Sequence, residues 1–295
     1  MASNAALVLG GATIHRVVDL DTFSIPIGVL FPGATGEQIS PAARVLANQH
    51  FDFSTEKVLL AIQSHLVCFA GKTILVDACV GEHKTRPQRP EWNERAGTHY
   101  LANLAAAGCL PEDVDFVMCT HLHADHVGWN TRLQSGRWVP TFPNARYIMS
   151  QREINQRSKE AAQSPVANHG SYQDSVLPII EAGLTEVKQA GDLVADGAVL
   201  IDLAGHAPGQ IGLDLATGAH AHVLFCGDAI HSPLQVFHPD WSSGFCFDRA
   251  HAARTRRMLL ERAAGENLLL MPAHLRGSGM RIAEKKGDYV PLIEP

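Results

Sequence analysis

No CxxC pair occurs in this chain of 295 residues, and its six cysteines, at positions 68, 79, 109, 119, 226 and 246, are scattered. In so long a chain that spacing argues against a disulfide framework. Cys68, Cys79, Cys119 and Cys226 lie inside apolar runs, where a free thiol behaves as a small buried hydrophobe. No run approaches the ~18 apolar residues of a membrane-spanning helix. The opening segment MASNAALVLGGATIHRVVDL lacks a basic region and is broken by Gly10-Gly11, so it reads as carrying no signal peptide. Cytoplasm is the expected compartment, with no membrane partner. Charge is scarce as well: 18% of residues are charged, and 24 Lys+Arg against 30 Asp+Glu give a net −6. That balance leaves no footprint for nucleic acid. Repeats, low-complexity tracts and the GxSxG signature of a serine nucleophile are all missing.

What is present is apolar and rich in one residue. A hydrophobic share of 46% excludes disorder, while 25 Gly and 16 Pro exclude a coiled coil. Histidine is abundant, at 16 residues. The length divided by ~150 residues per domain suggests about two units, but α/β folds of this size often form one. One domain over residues 1–295 is the expectation.

The pattern predicts strands at His65–Ala70 and Thr73–Ala78 around a Gly71-Lys72 turn. A helix is expected over Asn93–Ala107, closed by Gly108, and a short strand over Val114–Cys119. Gln151–Gln163 reads as a helix that Ser164-Pro165 ends. Further strands are expected at Val199–Leu203, Ile211–Leu215 and Val223–Cys226, with Thr217-Gly218 as a hairpin turn. Asp248 can cap a helix running to Ala264 and closed by Gly265, and Leu268–Met271 is a last strand. Strands interrupted by helices favour a layered α/β architecture. Two aromatic segments, Phe23–Ser54 and Ser232–Phe247, have no periodicity; they read as core covers or as the walls of a substrate pocket.

The informative stretch is Thr120-His121-Leu122-His123-Ala124-Asp125-His126-Val127-Gly128. Four metal-competent side chains fall within six residues, directly after an expected strand. Imidazole and carboxylate suit zinc and similar borderline ions. In an extended segment His121 and His123 point to one face and can chelate one ion. Asp125 and His126, past the strand end, can then reach a second. His206, Asp228 and His274 each follow an expected strand, in Ala204–Gly209, Cys226-Gly227-Asp228 and Pro272-Ala273-His274. Such placement lets a single rim site be assembled from distant sequence.

These seven residues, in order and context, resemble the ligands of the metallo-β-lactamase superfamily, and the resemblance runs from about Ser64 to His274. It implies a four-layer αβ/βα sandwich with a dinuclear metal site on one edge. By that likeness His121, His123 and His206 hold one ion, and Asp125, His126 and His274 the other, with Asp228 bridging. Asp77 matches a common family position behind the ligands, where a carboxylate orients an imidazole. The ions implied are divalent, zinc first, with iron, manganese or cobalt as alternatives.

Phe142–Ala145, His206–Gly209 and Pro272–His274 look like the branch that contains quorum-quenching lactonases and methyl parathion hydrolase. Those lactonases place a tyrosine three residues after the bridging Asp; this chain has His231 there. The function implied is hydrolysis of a small ester, lactone or phosphotriester by a metal-bridging hydroxide. A thioester or β-lactam hydrolase and an iron oxidoreductase of the same fold are the alternatives. Asp125 is expected to move a proton, and His231, with a reference pKa of ~6.5, to donate a hydrogen bond or a proton.

His220 and His222 form a second HxH expected to face solvent. His99, His169 and His238 lie in loops or near helix ends and could line a pocket. Arg249, Arg254, Arg256, Arg257 and Arg262 read as a solvated basic face. The expected partner is a small-molecule substrate and not nucleic acid, with a homodimer left open.

Overall fold

The computed structural model describes residues 6–46, 48–218 and 221–294. The strands are β1 (Leu7–Leu9), β2 (Ala12–Pro26), β3 (Phe51–Asp52), β4 (Lys57–Phe69), β5 (Lys72–Val76), β6 (Phe116–Met118), β7 (Thr131–Gln134), β8 (Arg137–Pro140), β9 (Arg146–Met149) and β10 (Thr185–Val187). They continue as β11 (Leu193–Ala195), β12 (Ala198–Asp202), β13 (Ile211–Gly218), β14 (Ala221–Gly227), β15 (Leu269–Pro272), β16 (Gly279–Lys285) and β17 (Asp288–Glu294). One sheet runs β1-β2-β4-β5-β6-β9-β10 with β3 on β4, the other β11 through β17 in sequence order, and β7-β8 is a separate hairpin. Strands β5, β6, β9 and β10 are mutually parallel, as are β14 and β15.

Alternation within the strands builds three cores. Val67, Ile74, Val76, Met118 and Ile148 of the first sheet face Leu213, Leu215, Val223, Phe225 and Met271 of the second. Their neighbours Leu66, Leu75, Val117 and Tyr147 point the other way, onto the helix Tyr100–Ala106 and residues Val176 and Ile179. On the far side Leu224, Cys226 and Leu270 pack against Leu259, Leu260 and Ala263 of the helix Arg249–Glu266. Both faces of each sheet are covered, which is why the central strands read as nearly continuous apolar runs rather than alternating ones. The result is the expected four-layer αβ/βα sandwich.

Several local expectations are corrected. The β4-β5 turn is Ala70-Gly71, both at positive φ, the backbone a two-residue hairpin needs. The helix expected from Asn93 starts only at Tyr100, because left-handed Glu94 and Gly97 interrupt the chain before it; Gly108, at φ +83, closes it as read. Thr217 and Gly218 belong to β13. The next two residues, His220 among them, lie outside the described residues. Asp248 does cap the last long helix, accepting from the His251 N–H, but left-handed Asn267 rather than Gly265 ends it. Phe23–Pro26 is the end of β2 rather than loop. Cys68 is exposed, unlike Cys79, Cys119 and Cys226, because it lies near the β4 end on an open flank. Arg256 is fully buried and donates to the carbonyls of Ala229 and Pro239, so it is no part of a solvated face.

Candidate active site

Four strand ends converge on one edge of the sandwich. The chain leaves β6 through Cys119-Thr120, and His123 is the N-cap of the short helix Ala124–Val127, which carries Asp125 and His126. His206 lies between β12 and β13, Asp228 directly after β14, and His274 two residues after β15. The first sheet thus supplies four of the seven candidate side chains and the second sheet three.

The atoms fall into two groups, one of His121, His123, His206 and Asp228 and the other of Asp125, His126 and His274. His123 Nδ1 is 2.9 Å from both His121 Nε2 and His206 Nε2. Three imidazole nitrogens drawn that close suit one small cation, since tetrahedral ligands at ~2.0–2.1 Å are themselves about 3.3 Å apart. Asp228 faces both groups. Its Oδ2 is 3.3 Å from His206 Nε2 and 3.9 Å from His121 Nε2. Its Oδ1 is 3.4 Å from His126 Nε2 and 3.2 Å from His274 Nε2. Asp125 lies 3.6 Å from His274 and 3.9 Å from His126.

Each ring's remaining nitrogen is tied down in most cases. His274 Nδ1 donates to the Ala61 carbonyl at 2.8 Å, His126 Nδ1 lies 2.9 Å from Asp77, and His121 Nδ1 lies 3.1 Å from Thr120 Oγ1. Such contacts select the tautomer that leaves the inward nitrogen with a lone pair. Asp77 also accepts from the Thr120 N–H and hydroxyl, which fixes the backbone immediately before His121. Left without partners and buried are His126 Nε2, Asp228 Oδ1 and both nitrogens of His231. Polar atoms without a partner are costly to bury, and a cation between the two groups would satisfy His126 and Asp228 together.

Electrostatics point the same way. Burial holds His121, His123 and His206 well below the usual histidine range, so their imidazoles are neutral. Burial also opposes charge at His126 and His274, but Asp228 and Asp125 outweigh it and raise both, with Asp77 adding to the effect at His126 alone. Burial alone would raise Asp228; His274, His126, His231 and His206 overcome it and hold the carboxylate well below its ordinary value. An ionised carboxylate that gathers protons onto its neighbours is a site that exchanges those protons for metal.

Supports that the sequence did not suggest come from the segment between β9 and β10. Asn168 Nδ2 donates to the Leu122 carbonyl at 2.6 Å and its Oδ1 accepts from the Ala124 N–H at 3.2 Å, so one side chain brackets the backbone of His123. Buried Glu153, on the Gln151–Gln163 helix, accepts from the N–H of Leu122 and of Gly209, tying the His123 loop to the His206 loop. Neither residue has a spacing relation to the histidines it serves. The only available hint was that Gln151–Gln163 is capped by Ser150 just before Glu153.

The groups open into a cavity of about 360 Å³, lined by His123, Asp125, Asp228, His231 and His274 at one end. Phe23, Ile25, Leu30, Trp92 and Phe245 supply an apolar wall. The two aromatic segments pack on each other there: the Gly244 N–H donates to the Leu30 carbonyl, and Phe31 and Trp241 lie 5.8 Å apart. His231 is buried, with Nε2 3.3 Å from Asp228 Oδ2 and its ring 4.8 Å from His206. His169 lines the cavity, His238 stacks on Trp241, and His99 precedes the Tyr100 helix. His222, expected to face solvent, is half-buried and lies 3.4 Å from Asp214.

Residues 59–274 match the family profile described as the metallo-beta-lactamase superfamily. No curated protein sequence matches the chain. Among solved structures, the hydrolase AbOPH in the beta lactamase superfamily is similar at 23% identity and TM-score 0.81, covering 100% of this chain and 98% of that one. A dizinc quorum-quenching lactonase, AidC, in complex with a product, N-hexanoyl-L-homoserine, is similar at 20% identity and TM-score 0.77, over 99% of this chain and 97% of its own. An N-acyl homoserine lactone hydrolase with product at its catalytic metal center is similar at 18% identity and TM-score 0.59, over 90% and 94%. At these identities the likeness establishes the fold.

Proposed function

This chain belongs to the metallo-beta-lactamase superfamily, and from that premise we propose that it is a dinuclear-metal hydrolase of a small ester, lactone or phosphotriester. In this reading His121, His123 and His206 hold one divalent ion and Asp125, His126 and His274 the other. The observation that carries it is the split of Asp228, with one carboxylate oxygen facing each group of histidines. Divalent ions would supply a water of lowered pKa and polarise the oxygen on which charge develops. Zinc fits the imidazole and carboxylate donors.

The chain's own groups do the rest. Asp125 is partly exposed to the cavity, and its carboxylate accepts a proton and passes it to the leaving oxygen. His231, buried beside Asp228 with neither ring nitrogen in a hydrogen bond, donates one to the substrate oxygen that gains charge. The apolar wall excludes water from the acyl or alkyl portion. Support for a lactone comes from the lactonases of the same fold, whose structures hold ring-opened products.

The test is reconstitution of the full chain with zinc, metal counting, and a panel of lactones, aryl esters, phosphotriesters, β-lactams and glutathione thioesters. Two ions per chain and turnover of one ester class are expected. Mononuclear iron with dioxygen uptake would replace the hydrolase with an oxidoreductase. His231→Leu should lower turnover far more than metal content, and unchanged kinetics would remove His231 from the chemistry.

A further inference from the structure

Arg89 stands apart among the cationic side chains near the cavity. Arg157 is paired with Glu153 and Glu160, Arg86 with Asp174, and Arg95 with Asp19. The Arg89 guanidinium has no carboxylate and no hydrogen-bond acceptor among the described residues. It lies instead between two rings, 5.6 Å from the centroid of Trp92 and 5.5 Å from that of Phe245. All three residues line the cavity that reaches Asp228 and His231. Trp92 is itself fixed, packed 5.4 Å from Phe23 and 5.7 Å from His169.

Two aromatic faces attract a guanidinium without using its N–H groups. The fork of donors therefore stays available and is pre-organised, and a planar carboxylate is the partner whose geometry it matches. Ile25, Leu30 and Leu60 give the cavity that Arg89 shares with the histidine groups an apolar lining.

We propose that Arg89 selects the substrate, and that the substrate is an ester or lactone bearing a carboxylate separated from its scissile group by a short apolar spacer. This inference rests on the hydrolase reading of the same site and names the class of molecule it takes. Arg89 acts in binding and belongs to neither ligand group, so its loss should appear in KM with kcat preserved. A charge-assisted hydrogen bond of this kind corresponds to about 10- to 100-fold in affinity.

The experiment compares 4-nitrophenyl hydrogen glutarate with the neutral 4-nitrophenyl pentanoate, using zinc-loaded full-length wild type and Arg89→Met. Methionine keeps an apolar chain between the rings and removes the fork. The wild type should favour the carboxylated ester by about 10-fold or more in kcat/KM. Arg89→Met should abolish that preference through KM and leave the neutral ester within about twofold, a change too small to register against the expected one. An equal preference in wild type, or an equal loss on both esters, overturns the proposal.

A second measurement does not depend on turnover. Glutaric acid monoanilide and its neutral methyl amide are titrated by calorimetry, with Trp92 fluorescence as a local reporter. Binding of the anilide that Arg89→Met removes supports the carboxylate site even if neither ester is hydrolysed, in which case the hydrolase reading fails alone. Hydrolysis of both esters with anilide binding unaffected by Arg89→Met fails the carboxylate site alone.

Discussion

His274 and Trp92 line the same cavity and are held in different ways. His274 sits two residues past a central strand, with Nδ1 bonded to the Ala61 carbonyl and Nε2 left to face Asp228. Trp92 sits on a turn between elements, its side chain held by packing on Phe23 and His169 and its indole N–H in no hydrogen bond. The floor of the cavity is made of strand ends whose directions are set by two paired sheets. The wall is made of loops whose positions depend on one another. In the proposed reading, chemistry that tolerates little misplacement would occupy the first region, and the contacts that choose a substrate the second.

Substitutions should separate the two regions by size and by the parameter they move. Asp228→Ala removes the one carboxylate that faces both histidine groups, so turnover should fall about 10³-fold with loss of bound metal. Full activity would dissolve the floor as defined here. Asp77→Asn touches no substrate, yet it weakens the contact that orients His126 Nδ1. Metal affinity should fall about 10- to 100-fold in competition with a chelator, with circular dichroism unchanged.

Asn168 belongs to the wall by position and to the floor by its bonds. Asn168→Ala leaves the Leu122 carbonyl and Ala124 N–H unbracketed and should cost about 1–3 kcal/mol, read as weaker metal binding. Because Asn168 is left-handed at φ +48, Asn168→Gly relieves the backbone and isolates the amide's share. If only KM moves, Asn168 is a wall residue after all. Phe245→Ala is the smallest of the set, raising KM a few-fold with kcat and metal content intact, because its ring is 41% exposed.

The same division explains what could be read from the sequence. His121, His123, Asp125 and His126 announce themselves because four metal-competent side chains in six residues are rare by chance. The Gln151–Gln163 helix is legible to the residue because its terminating Ser164-Pro165 is a local signal. Asn168 and Glu153 were illegible, since each serves a backbone atom tens of residues away and neither spacing nor residue type reports it. The start of the Tyr100 helix was missed for a related reason: residues such as Glu94 can adopt a left-handed backbone that composition does not reveal. Arg256 was misread because an arginine pattern cannot say which guanidinium finds buried carbonyls.

One arrangement has a mechanical meaning. His121 and His123 come from the sheet that ends with β10, and His206 comes from the sheet that begins with β11. Asp125 and His126 are joined to His274 across the same divide. An ion in either position is therefore a crosslink between the two halves of the sandwich, closing a loop in the chain as a disulfide would. Unlike a disulfide it would not restrain the unfolded chain, but by binding only the folded site it would raise the folding equilibrium by mass action. In a chain whose thiols form no pairs, the seam between the sheets would be fastened by the same side chains that we propose for hydrolysis.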